Sequence, residues 1–160
     1  MYKGMLEAAI GASGKGLDHA NWDDLPFIRV GINTAASKIP GCLYISSVDL
    51  NVIRIPYLLD KKILLTTEET MRLVKKNNIN TVSHIIIRNL KYSMLLAIQF
   101  CINIGVSKIY FIGCDFGQTR HEDLKKHYKM PSEFYINQYS KIKEMMLCLM
   151  ELNRINYDFI

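Results

Sequence analysis

The chain has 160 residues, 49% of them hydrophobic and 22% charged, enough to bury one substantial core and too few for two, which excludes the composition of a disordered chain. Twenty Lys and Arg against 15 Asp and Glu leave a formal charge of +5, compatible with an anionic ligand and equally with a solvated basic surface. Glu7 stands where a signal peptide needs an apolar core, and no run of 18 apolar residues occurs, so neither secretion nor a membrane span is expected.

The first predicted strand, 6–10, runs directly into Gly11-Ala12-Ser13-Gly14-Lys15-Gly16-Leu17. At that point an α/β sheet places a turn whose backbone N–H groups approach phosphate. Gly11, Ser13 and Gly14 are therefore candidate nucleotide contacts, with a plain flexible turn as the competing reading. The turn is not a Walker A loop, since Ala9 replaces the leading glycine and Gly16 the Mg²⁺-binding hydroxyl. It is not G-x-G-x-x-G either, because His19 takes the last place. The second strand, 27–32, ends at Asn33, whose amide offers an acceptor and two donors to a base or sugar edge, or else caps Thr34-Ala35-Ala36. After the third strand, 42–47, Ser47 and Asp49 either face the same crevice or cap a helix over 51–59.

A fourth strand, 62–66, leads through Thr66-Thr67-Glu68-Glu69 into a helix over 68–76 that stops at Asn77 and Asn78. Beyond a fifth strand, 81–87, the segment 94–104 is apolar almost all round and closes on Gly105 as a left-handed cap, so it is a helix packed on the sheet. Ser93 stands at its amino end, where free N–H groups and the helix dipole favour an anion; a simple N-cap explains it equally. The sixth strand, 108–113, closes with Gly113-Cys114-Asp115, an acid that either faces the ligand crevice or bonds nearby backbone.

Residues 117–131 break the alternation as a charged surface loop or lid. Its histidines, His121 and His127, fit no zinc spacing, so no metal is expected; either could exchange a proton near pH 7 or simply be solvated. A helix over 133–153 follows, in which Phe134, Tyr135 and Tyr139, with Tyr128 before it, form a core face or reach phosphate. A last strand at 156–160 completes a single domain over 1–160. Alternating strands and helices predict an α/β fold: a doubly wound, mainly parallel, Rossmann-like sheet with helices on both faces. Cys42, Cys101, Cys114 and Cys148 lie in apolar runs without a Cys-x-x-Cys spacing, the pattern of reduced, buried thiols in a cytoplasmic protein.

Taken together, Gly11 to Pro26, Asn33, Tyr92-Ser93 and Ile109-Tyr110-Phe111-Ile112-Gly113-Cys114-Asp115-Phe116 resemble the bacterial CMP-sialic-acid-dependent sialyltransferases. They also resemble the related domain of motility accessory factors and archaeal 6-hydroxymethylpterin diphosphokinase. A Ser before an apolar helix, a Gly closing it and an I-Y-x-x-G-x-D-F strand carry most of the likeness. The resemblance implies nucleotide roles for Gly11, Ser13, Asn33 and Ser93, a CMP-linked sugar as substrate, and no required metal or cofactor. Two departures stand out. Met130-Pro131 occupy the place of the family's general-base His ahead of Ser132-Glu133-Phe134-Tyr135, leaving His127 nearest, and the chain is much shorter than those enzymes.

The expectation is a small glycosyltransferase-like enzyme. The first turn, Asn33 and Ser93 surround the nucleotide, Asp115 lies at the crevice floor, and His127, ahead of His121, activates an acceptor hydroxyl. The alternatives are a non-catalytic nucleotide-binding or sensing module, and a pyrophosphokinase of the pterin type, which needs Mg²⁺ and clustered acids. Nucleic acid is disfavoured, because the basic residues lack interleaved aromatics on any one predicted face. Homo-oligomerisation stays open.

Overall fold

In a computed structural model the chain is described over residues 5–80, 83–114 and 132–160, with the backbone alone over 132–136. Seven strands form one sheet: β1 (Leu6–Gly11), β2 (Ile28–Ile32), β3 (Tyr44–Ser46), β4 (Ile63–Thr66), β5 (His84–Ile86), β6 (Val106–Ile112) and β7 (Asn156–Phe159). Their order is β5-β4-β3-β2-β1-β6-β7, and every neighbouring pair is parallel. The expected α/β, Rossmann-like architecture is therefore present, with a sheet that is parallel throughout. From β1 the chain moves outward to β5 and then returns to place β6 on the other side of β1. The β1/β6 boundary is thus the switch point, and all carboxyl ends share one rim.

Both sheet faces are covered, which is why the central strands read as continuous apolar runs. Within β1, Ala9 belongs to one buried cluster while Ala8 and Ile10 belong to the other; Leu64 and Leu65 divide in the same way, as do Ile112 and Phe111. One face is covered by the 3-10 segment Asn33–Lys38 and by helices α1 (Leu50–Ile53), α2 (Pro56–Leu59) and α3 (Glu68–Lys76). The other is covered by α4 (Ser93–Asn103) and α5 (Ser132–Leu152), the latter through Met146 and Met150. Leu95, Leu96 and Ile98 of α4 are at most 1% exposed, each worth about 1.5–3 kcal/mol by area removed from water.

Local chemistry sets the boundaries. Thr67 caps α3 by accepting from the Thr70 N–H, Asn77 ends that helix, and Asn78 follows at φ 52°. Gly105 at φ 82° follows α4, as its position after the apolar run predicted. Four expectations need correction. The single helix over 51–59 is two short helices, because Pro56 has no N–H to give and holds Ile55 in extended backbone at ψ 106°. Ser93 is not the cap of α4 but lies inside its first turn, with Tyr92 at the cap position and no side-chain cap bond. Strand β3 begins at Tyr44 rather than at residue 42. Of the four thiols, Cys42 and Cys101 are buried, Cys114 is partly exposed and Cys148 is exposed on the outer side of α5. Among the described residues no helix is long and apolar enough to cross a membrane.

Candidate functional site

The rim at the carboxyl ends of β1, β2 and β3 gathers the first glycine turn, Asn33 and Ser47, and α4 starts beside it at Ser93. The register fixes their neighbourhood: Gly11 pairs with Gly31 and Ile112, and Ile32 with Ser46, so Asn33 and Ser47 are each one residue beyond a paired position. Adjacent strands lie about 4.8 Å apart, which places these groups side by side.

The first turn is held rigidly across the switch point. Ala12 N–H donates to the Ile112 carbonyl at 2.9 Å and Gly14 N–H to the Gly113 carbonyl at 2.8 Å. Gly113 permits this approach at φ 65°, where a Cβ would lie 2.7 Å from the Ala12 oxygen and 2.9 Å from the Gly14 oxygen. Gly11 is buried, and a Cβ on it would strike the Ile39 side chain. Two N–H groups expected to approach phosphate are thus engaged with Ile112 and Gly113 at the carboxyl end of β6.

Asn33 and Ser93 meet although 60 residues separate them. The Ser93 Oγ donates to Asn33 Oδ1 at 3.3 Å and accepts from the Val48 N–H at 3.3 Å. Ser46 Oγ, fully buried, donates to the Ser93 carbonyl at 2.6 Å. The end of β3, the end of β2 and the start of α4 are thereby joined in one hydrogen-bonded network. Asn33 sits at φ 51°, a left-handed conformation that Asn tolerates better than most residues. The segment after it folds back over Gly31, where a Cβ would lie inside Ala36.

Asp49 caps α1 by accepting from the Asn51 N–H at 2.8 Å, whereas Ser47 is not a helix cap: its Oγ accepts from the Asp49 N–H at 3.2 Å in a local turn. Sequence reasoning missed Ser46, the Val48 N–H and two further hydroxyls. Thr34 Oγ1 and Thr66 Oγ1 are buried and have no partner among the described residues, each a cost of about 1–3 kcal/mol. The available signal was a run of polar residues, Asn33-Thr34, Ser46-Ser47 and Thr66-Thr67, closing three successive apolar strands. Arg88 and Lys91, both exposed, occupy the segment leading into α4. Asp115, His121 and His127, and with them the charged loop over 117–131, lie outside the described residues. Tyr128 does too, and the side chains of Phe134 and Tyr135 are not described; Tyr139 is partly exposed on α5.

No protein-family model, no curated protein and no solved structure matches the chain.

Proposed function

We propose that this chain is a small transferase-like nucleotide-binding domain that takes a nucleotide sugar, CMP-linked by the resemblance noted above, and passes the sugar to a hydroxyl acceptor. The observation that carries the reading is the Asn33–Ser93 contact at the carboxyl rim of a parallel sheet. Ligands of open α/β sheets bind at that rim. The uncapped amino end of the 11-residue α4 adds a partial positive charge, and the exposed Arg88 and Lys91 precede it. In the proposed reaction the acceptor oxygen bonds to the anomeric carbon as the bond from that carbon to the phosphate oxygen breaks. CMP leaves with the electron pair, and the hydroxyl proton passes to a base. In this proposal His127 is assigned as the base and Asp115 to the crevice on the resemblance and the sequence alone, since both lie outside the described residues.

Titration calorimetry with CMP, followed by mass spectrometry of a CMP-sugar incubated with the protein and a simple alcohol, tests this directly. Micromolar to millimolar CMP binding with release of CMP from the donor is expected. His127→Ala should lower turnover about 100-fold or more while leaving CMP affinity intact. Absence of CMP binding removes the proposal. Binding with the donor recovered unchanged converts it to the alternative, a non-catalytic nucleotide-binding module.

A further inference from the structure

We infer that Ser93 is a positioning residue that fixes the hydrogen-bonding polarity of Asn33, so that the site reads an acceptor on its ligand and rejects a donor. The inference rests on the nucleotide-binding reading of the rim and deepens it. A backbone N–H can only donate, so the Val48 contact makes Ser93 Oγ an acceptor and turns its own proton elsewhere. Asn33 lies at 3.3 Å and takes that proton on Oδ1. The Asn33 amide is thereby fixed with its oxygen toward Ser93 and its Nδ2 on the opposite branch. Asn33 is partly exposed, and Nδ2 has no partner among the described residues. Ser46 secures the arrangement from below, because its bond to the Ser93 carbonyl fixes the first turn of α4 against β3. The rim therefore presents the two Nδ2 hydrogens of Asn33 at the end of β2, with no partner among the described residues. The complementary ligand group carries lone pairs and no proton there: a phosphate oxygen or the carbonyl of a pyrimidine.

Two variants separate this polarity from a general loss of contact. Asn33→Gly deletes the amide yet suits the left-handed backbone, and Asn33→Asp keeps the shape while replacing the donors with an acceptor. CMP affinity measured by calorimetry should fall in the order wild type, Asn33→Gly, Asn33→Asp, by about tenfold at the first step and at least as much again at the second. An Asn33→Asp protein that binds CMP as well as wild type, or better than Asn33→Gly, overturns the inference. Cytidine and inorganic phosphate as separate probes identify the acceptor: the one that loses affinity in Asn33→Asp carries it.

Ser93→Ala should weaken CMP binding, and the Asn33→Gly/Ser93→Ala double variant should bind no worse than Asn33→Gly alone, since Ser93 acts through Asn33. Additive losses would show direct contact by Ser93 and overturn the positioning role. Should CMP fail to bind wild type, the nucleotide reading falls, and nitrogen-15 spectra of the Asn33 side chain still decide the amide's orientation. Fast exchange of both Nδ2 protons with water supports it, and protected Nδ2 protons overturn it.

Discussion

Residues at the rim divide into those with partners and those without, and the division predicts opposite responses to mutation. Ser46 donates a 2.6 Å bond inside the core, so Ser46→Ala leaves the Ser93 carbonyl without that donor and should cost about 1–2 kcal/mol in urea unfolding. Thr66 Oγ1 is equally buried but has no partner among the described residues, so Thr66→Val removes an unsatisfied group and should leave stability unchanged or raise it by about 1 kcal/mol. A loss beyond 1 kcal/mol in Thr66→Val would mean that the hydroxyl is bonded in solution. Gly31 is constrained more severely. Its missing Cβ is what lets Ala36 cross the end of β2, so Gly31→Ala should cost about 3 kcal/mol or more and displace Asn33 with it. None of these constraints was legible in the sequence, because each depends on which atoms lie opposite across 5 to 47 positions of chain.

Elements were far more legible than contacts, for a physical reason. A strand buried on both faces must be apolar throughout, and a helix buried nearly all round must be apolar for three turns, so the strands and α4 announce themselves. The breaks depend on single residues. Pro56 divides the expected helix after β3 in two, a constraint its ring imposes but one that an apolar count over 51–59 conceals. A Ser ahead of an apolar helix suggests an N-cap or an anion-favouring residue; the structure excludes the cap, and its hydroxyl instead meets Asn33 and the Val48 N–H at the ends of β2 and β3. The contrast is measurable. Thr67→Ala should cost about 1 kcal/mol through loss of the α3 cap, whereas the damage in Ser93→Ala should centre on Asn33 and Val48. Amide hydrogen exchange would register the first as fraying of residues 68–70 and the second as faster exchange at Val48.

At the scale of the whole molecule the buried thiols give stability a pH dependence. Burial pushes Cys42 up to about 11 and Cys101 to about 12, from an ordinary thiol value of 9.0. A folded value above the unfolded one means that the unfolded chain loses its protons first as pH rises, so the contribution is whole below pH 9 and declines from there through pH 11–12. Urea midpoints should therefore fall with pH above 9, less steeply in Cys42→Ala/Cys101→Ala. Cys148 should react promptly with a thiol reagent in the native protein at pH 8, while Cys42 and Cys101 stay silent. The sheet also places the proposed site. Seven parallel strands put all their carboxyl ends on one rim, and the polar residues that close β2, β3 and β4 collect there. Titrating nitrogen-15-labelled protein with CMP tests that placement most directly. The account predicts amide shifts centred on Ala12 to Gly16, Asn33, Val48 and Ser93; shifts centred instead on Phe27, Leu43 and Ile104, at the opposite ends of the same strands, would contradict it.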